Sequence, residues 1–137
     1  MKALVLDASV AMAWYLPESF STAARRWQRL MLEGQIELVV PSLHYWEVAN
    51  VLRTYVVRGE IVAALATEIY ALHLEAPLTV REPDRAEVLA AALRFSSTAY
   101  DAVYIALALG SDLSVLTAER TTTPWVVKLA RRVEIVR

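Results

Sequence analysis

The sequence feature that most constrains the fold is a short, uninterrupted apolar run, Ala3 to Leu6, near the start of the chain. A run of this length is typical of a strand buried on both faces, as in a parallel sheet covered by helices. Further strand patterns follow at residues 37–40, 77–80, 113–116 and 133–136, with helical patterns between them. This alternation predicts an α/β fold, with one parallel five-stranded sheet and helices on both faces.

Seven helices are predicted around these strands, at residues 10–16, 21–33, 42–58, 61–74, 84–95, 99–108 and 124–131. Several have recognisable start signals. Ser42 is the predicted N-cap of the third helix, and Asp84 with Glu87 three residues later has the spacing of a capping box. The third helix is predicted to bury an apolar stripe that consists of Trp46, Ala49, Leu52, Tyr55 and Val56.

Length and composition predict a single domain over residues 1–137, long enough to bury a core without disulfides or zinc. The absence of Cys excludes disulfide frameworks, thiolate metal sites and Cys nucleophiles. The N-terminal apolar run is too short for a signal peptide, and the longest apolar stretch, Val103 to Leu109, is too short to span a membrane. We therefore expect a cytoplasmic protein that does not enter membranes.

The composition also bears on partners. Hydrophobic residues make up 57% of the chain, so either a second subunit or partner covers some apolar surface or the core is dense. The net charge of −1 usually argues against a nucleic-acid partner. Setting aside four acids that we group below leaves 14 basic against 11 acidic residues, so phosphate binding remains electrostatically possible.

Aspartate is scarce in this chain, and its four occurrences divide into two kinds. Asp84 is a predicted helix cap, and Asp112 lies in a Gly-Ser-Asp turn. Asp7 instead closes a buried strand, and Asp101 lies at the start of a strongly apolar helix. Neither position has an ordinary structural explanation, so we consider a chemical role for both.

Four carboxylates are placed where an open α/β sheet can bring them together. Asp7 and Glu119 follow strands, at the edge where ligands bind in such sheets, while Glu47 and Asp101 lie early in helices. Clustered carboxylates repel each other unless a cation is present, and hard oxygen ligands favour Mg²⁺ or Mn²⁺. Such a centre suits the hydrolysis of phosphodiesters. Taken singly, Glu47 and Glu119 are more simply interpreted as surface charges.

The same residues carry a resemblance to a known family. Four segments resemble the successive motifs of PIN-domain ribonucleases, in particular the VapC-type toxins: Asp7-Ala8-Ser9, Glu47-Val48-Ala49-Asn50, Tyr100-Asp101-Ala102-Val103-Tyr104 and Leu116-Thr117-Ala118-Glu119. The similarity extends from Met1 to Val136 in the family's order and spacing. It implies a magnesium-dependent endoribonuclease with strand order 3-2-1-4-5, usually a homodimer, that a cognate antitoxin protein holds inactive.

The resemblance assigns roles residue by residue. It implies that metal binding and catalysis belong to Asp7, Glu47, Asp101 and Glu119. It also implies supporting hydrogen bonds from Ser9, Asn50 and Thr117. Glu119 stands where the family usually has Asp, and its additional methylene displaces the carboxylate by roughly one bond length.

Two other functions compete with the nuclease. In a phosphatase, Asp7 would attack phosphorus itself, but such enzymes usually carry a second Asp two residues later, where this chain has Ser9, and a Lys in the cleft. The second alternative is a PIN-like scaffold that binds RNA or protein without cleaving. Of the arginines, Arg120 has the strongest claim to RNA binding, because it adjoins Glu119. His44 and His73 lack metal-ligand spacing and receive no role.

Overall fold

The computed structural model describes residues 1–137 and contains one sheet of five strands. These are β1 (Lys2–Leu6), β2 (Ile36–Val40), β3 (Thr79–Val80), β4 (Ser114–Thr117) and β5 (Val133–Ile135). All neighbouring strands are parallel, and their order is β3-β2-β1-β4-β5. The predicted fold class is confirmed. The strands β2 and β3 are added on one side of β1, and β4 and β5 on the other. The switch point of the topology therefore lies between β1 and β4.

Seven α-helices surround the sheet: α1 (Ala8–Tyr15), α2 (Ser21–Leu32), α3 (Leu43–Val57), α4 (Ala63–Leu74), α5 (Arg85–Phe95), α6 (Ala99–Gly110) and α7 (Pro124–Leu129). A 3₁₀ turn at Ala130–Arg132 joins α7 to β5. The ends of all seven helices lie within two residues of the predicted ends. No helix is both long and apolar enough to cross a membrane.

The central strand β1 explains why its sequence is apolar without alternation. Leu4 and Leu6 pack in a core layer with α1 and α2. Val5, between them, packs in the opposite layer with α5, α6 and α7. Because successive strand side chains point to opposite faces, a strand covered on both faces needs an apolar residue at every position. A third, smaller core cluster joins α1 to α3 and α4.

The predicted stripe of α3 is correct at Leu52, which is buried, and wrong at Trp46, which is 68% exposed. The other buried residues of this helix are His44 and Val48. His44 takes an inward position because both of its ring nitrogens have hydrogen-bond partners inside the protein, which removes most of the cost of burying a polar ring. Apolar periodicity alone therefore misjudged the rotation of the helix.

The predicted helix starts are partly corrected. Asp84 caps α5 by accepting a hydrogen bond from the Ala86 N–H at 3.0 Å, but Glu87 makes no reciprocal bond, so the capping box is incomplete. Ser42 precedes α3 without capping it, because its hydroxyl and its N–H both donate to the Glu82 carboxylate. Thr98, which had no predicted role, caps α6 by accepting from the Asp101 N–H.

Candidate functional site

The candidate site begins at the carboxyl ends of the two strands that flank the switch point. Leu6 of β1 pairs with Leu116 of β4, and the Asp7 N–H donates to the Leu116 carbonyl at 3.0 Å. Asp7 also occupies the position directly before α1. Its side chain thereby leaves the sheet where strand and helix diverge, which is where parallel α/β sheets bind their ligands.

Two hydroxyl groups hold the Asp7 carboxylate on one side. Ser9 Oγ and Thr117 Oγ1 donate to the same oxygen, Oδ2, at 3.0 and 2.7 Å. Ser9 Oγ in turn accepts from the Ala118 N–H, and Thr117 Oγ1 accepts from the Glu119 N–H. Each hydroxyl therefore joins the segment after β1 to the segment after β4, and Oδ1 has no hydrogen-bond donor from the protein.

The second acid, Glu47, lies on α3 and is held by a tyrosine from another helix. The Tyr104 hydroxyl of α6 donates to Glu47 Oε1 at 2.5 Å. Burial, with a smaller contribution from the charges of Asp7 and Asp101, raises the pKa of Glu47 to about 6, although the Tyr104 hydrogen bond acts in the opposite direction. This carboxylate is thus balanced between its charged and neutral forms near pH 6 and is mainly charged at neutral pH.

The other acids share the same electrostatic environment. Burial raises the pKa of Asp7, and the charges of Asp101 and Glu119 raise it further, against the hydrogen bonds from Thr117 and Ser9. Burial and the charge of Glu119 likewise raise the pKa of Asp101. Because charge repulsion falls off with distance, these effects indicate that the four predicted acids lie near one another, in a region that we call the cleft.

No basic side chain neutralises this cleft. The three ion pairs of the protein join Lys2 to Glu134, Arg81 to Glu37 and Arg132 to Asp112, all away from the four acids. Uncompensated carboxylates with oxygen as the only donor atom fit a hard divalent cation. As the side chains lie, however, no three of them are arranged around one point that would hold a metal ion. The structure groups the acids without forming a complete ligand sphere.

Glu119 lies in a segment that is tied down at several points. Thr123 Oγ1 donates to its Oε2 at 3.2 Å, and Arg137 donates to the backbone carbonyls of Ala118 and Glu119 at 3.0 and 2.9 Å. The C-terminal residue thus braces the turn that follows β4. This contact had no sequence signal, because Arg137 lies 18 residues from Glu119 and follows an ordinary strand pattern.

Two predicted residues are not drawn into the cleft. Asn50 is exposed, and its side-chain amide has no hydrogen-bond partner in the protein. Only its backbone carbonyl is bonded to a side chain, by accepting from the Thr54 hydroxyl. Arg120 is exposed and makes no ion pair. Sequence reasoning also missed Tyr104 as the partner of Glu47. The available signal was spacing, since Tyr104 follows Asp101 by three residues and so shares its helix face.

A five-stranded parallel sheet with four carboxylates at its switch point is an arrangement suited to metal-dependent phosphodiester chemistry. A profile of the PIN domain matches residues 4–121, and the chain belongs to the PIN-domain family, whose members are typically metal-dependent nucleases. The structure is similar to the crystal structure of PAE2754 from Pyrobaculum aerophilum, with a TM-score of 0.74 and a sequence identity of 23%. The match covers 99% of this chain and 84% of that chain. At this identity the likeness shows the shared fold. The search of curated proteins found no match.

Proposed function

We propose that this protein is a magnesium-dependent endoribonuclease and the toxin of a toxin–antitoxin pair. The observation that carries the nuclease assignment is the group of four carboxylates at the switch point between β1 and β4, three of which have raised pKa values and none of which has a basic partner. Asp7, Glu47 and Asp101 would be stabilised in their charged forms if a divalent cation were bound among them.

Within this proposal, the acids divide the work of holding the cation. The residues that would hold it are Asp7, Glu47, Asp101 and Glu119, with Mg²⁺ as the natural ion and Mn²⁺ as a substitute. When bound, such an ion neutralises phosphate charge and lowers the pKa of a coordinated water. Ser9 and Thr117 both donate to Oδ2 of Asp7, so Oδ1 has no protein donor and would be available to a cation.

RNA is the proposed substrate, and the surface beside Glu119 is its proposed entry. Arg120 is exposed and adjoins Glu119, so its guanidinium is able to reach a phosphate next to the one being cleaved. A divalent cation in the cleft would also reduce the negative field that the four acids present to an approaching RNA chain. The chemistry of the site fits a phosphodiester, while the choice of RNA follows the resemblance to PIN-domain ribonucleases.

The proposed partners are a second copy of the chain and an antitoxin protein in the cytoplasm. Exposed apolar side chains support both, because Leu89 and Leu93 lie one turn apart on α5 and are 67% and 75% exposed. On α4, Leu72 and Leu74 are also more than half exposed. Apolar residues at these levels of exposure are typical of surfaces that a partner covers.

Two observations favour a different function, a PIN scaffold without activity. No three acids of the cleft are arranged around one metal position, and Glu119 has a longer side chain than the Asp usual in the family. The phosphatase alternative loses support, because Lys2 pairs with Glu134 and Lys128 donates to Ser96, so neither lysine is available to the cleft.

Cleavage assays separate the nuclease from the scaffold. Purified protein is incubated with transfer, ribosomal and messenger RNAs in Mg²⁺, in Mn²⁺ and in chelator. We expect defined products in either metal and none in chelator. Asp101→Asn removes one proposed ligand charge at nearly constant volume, and we expect it to abolish cleavage.

The matched control is Asp112→Asn, which makes the same change from carboxylate to amide. Asp112 lies just before β4, at the end of that strand opposite the cleft. Asp112 has a φ of 55°, a conformation that Asn tolerates, and its ion pair with Arg132 is at the surface. This variant keeps full activity if the cleft is the active site. Metal-independent cleavage, or equal activity of the two variants, would contradict the proposal. Binding of RNA without any cleavage would favour the scaffold.

A further inference from the structure

A buried chain of hydrogen bonds leads away from Glu47 into the protein, through residues to which neither the family nor the sequence gave a role. Tyr15 OH lies 2.7 Å from His73 Nδ1, and His73 Nε2 lies 2.9 Å from His44 Nε2. His44 Nδ1 lies 3.3 Å from the Tyr104 OH, which donates to Glu47 at 2.5 Å. The five side chains come from α1, α4, α3 and α6, and we name them the Tyr-His chain.

The carboxylate at one end determines the direction of every bond. An ionised Glu47 only accepts, so the single hydroxyl proton of Tyr104 points at Glu47. The Tyr104 oxygen must then accept from His44, which requires the proton of His44 to be on Nδ1. A neutral His44 therefore accepts at Nε2, so His73 donates from Nε2 and accepts the Tyr15 hydroxyl proton at Nδ1. The two histidines hold opposite tautomers.

The histidines are held in the neutral form that this direction requires. Both rings are fully buried. Burial lowers the pKa of His44 to about 3, with a further contribution from His73, and burial lowers the pKa of His73 to about 4. Neither ring faces a carboxylate that would favour a charged imidazole, since the Tyr104 hydroxyl stands between His44 and Glu47.

Aromatic packing fixes the rings as well as the protons. The His73 ring packs edge-on against Tyr15 with centroids 5.4 Å apart, and at 6.0 Å from both Trp14 and Tyr45. The His44 ring lies 5.1 Å from the His73 ring. A side chain enclosed in this way has few alternative rotamers, so the Tyr104 hydroxyl is presented to Glu47 from a rigid support.

We propose that Tyr104 is a positioning residue that orients the Glu47 carboxylate for metal binding. The other members of the Tyr-His chain, His44, His73 and Tyr15, orient Tyr104 through hydrogen bonds that all run in one direction. The metal-binding part of this inference rests on the proposed function. The direction of the hydrogen bonds rests on geometry alone. Hydrogen-bond partners of metal ligands typically change metal affinity about 10- to 100-fold when they are removed. The Tyr-His chain extends such support through three further side chains.

Metal affinity tests the positioning role without an activity assay. Mn²⁺ binding to the full chain is measured by calorimetry for the wild type, Tyr104→Phe and the control Tyr70→Phe, which removes a hydroxyl that donates to the Tyr45 carbonyl outside the Tyr-His chain. We expect binding at least about tenfold weaker for Tyr104→Phe and unchanged for Tyr70→Phe. Equal affinity of Tyr104→Phe and wild type overturns the positioning role and leaves the proposed function intact. A wild type that does not bind Mn²⁺ refutes the proposed function and the positioning role together.

The direction of the chain is tested independently of any metal. Long-range ¹H–¹⁵N spectra of the imidazole rings distinguish the two neutral tautomers of each histidine, and the chain contains only His44 and His73. We expect the Nδ1–H tautomer for His44 and the Nε2–H tautomer for His73. Tyr15→Phe, at the far end, removes the donor to His73 Nδ1 and remains informative even if Tyr104→Phe does not fold. We expect both tautomers to persist in Tyr15→Phe, with a shift of the His73 Nδ1 resonance because that nitrogen loses its donor; identical tautomers in both rings, or a His73 that changes to the Nδ1–H tautomer in Tyr15→Phe, overturns the one-way chain.

Discussion

The pair of buried histidines predicts that stability falls steeply below pH 6.5. Their folded-state pKa values of about 3 and 4 lie below the ordinary value of 6.5, so between these values the unfolded chain binds protons that the folded chain refuses. Stability contributed by a group with a depressed pKa is fully present above its unfolded pKa and is lost as pH falls toward its folded pKa.

The size of the effect follows from the two shifts. Each unit of pH below 6.5 costs about 1.4 kcal/mol for each histidine, or about 4 kcal/mol for both at pH 5. Glu47 opposes this loss, because its folded pKa of about 6 is raised above 4.5 and its protonation between these values favours the folded state. Solvent screening limits that contribution to about 1 kcal/mol, and the raised pKa values of Asp7 and Asp101 act in the same direction, so the net loss between pH 8 and pH 5 is at most about 3 kcal/mol.

Urea unfolding followed by tryptophan fluorescence at pH 8, 7, 6 and 5, in chelator, measures this loss. His44 and His73 are the only histidines of the chain, so a variant with both replaced by Phe has no imidazole to titrate. We expect the double variant to lose the decline and to gain in stability toward pH 5, because only the carboxyl groups with raised pKa values, Glu47, Asp7 and Asp101, remain. A wild type that is equally stable at pH 8 and pH 5, or a double variant with the same decline, would refute the reasoning.

Three further predictions concern other parts of the structure. Ala130 has φ 56° and ψ −119°, so Ala130→Gly is expected to raise the free energy of unfolding by about 1 kcal/mol in urea titrations; a loss of stability would contradict the strain. Trp125 is buried with its Nε1 unpaired, whereas the buried Trp14 donates to the Ala24 carbonyl. Trp14→Phe is therefore expected to lower the free energy of unfolding by about 1 to 2 kcal/mol more than Trp125→Phe does. Equal losses in the two variants would count against this assignment. Thr117→Val removes a hydroxyl that donates to the Asp7 carboxylate and is expected to weaken Mn²⁺ binding about tenfold, as measured by calorimetry. The control is Thr54→Val, which removes a hydroxyl that bonds only to the backbone of α3 and is expected to leave the affinity unchanged.

The architecture was predictable because the signals for it are local. A strand covered on both faces needs a short apolar run, and a helix needs a start and a stop, so neighbouring residues carry the information. The same local reasoning placed Asp7 at the end of β1 and Glu119 after β4. In a parallel sheet those ends meet at one edge, whatever the packing details, so the approximate position of the candidate site followed from the strand pattern.

Only the tertiary structure decided which side chains meet within that frame. Glu47 and Tyr104 are 57 residues apart, and His44 and His73 are 29 apart, so no local pattern connects them. The rotation of α3 turned Trp46 outward and His44 inward, contrary to the apolar stripe, and left Asn50, a predicted site residue, exposed. A helix turns by about 100° at each residue, so a small change in rotation, set by contacts with α1, α4 and α6, exchanges buried and exposed positions. Sequence by itself determined the order of the elements and the edge where the acids gather; packing between distant helices decided which partners hold them.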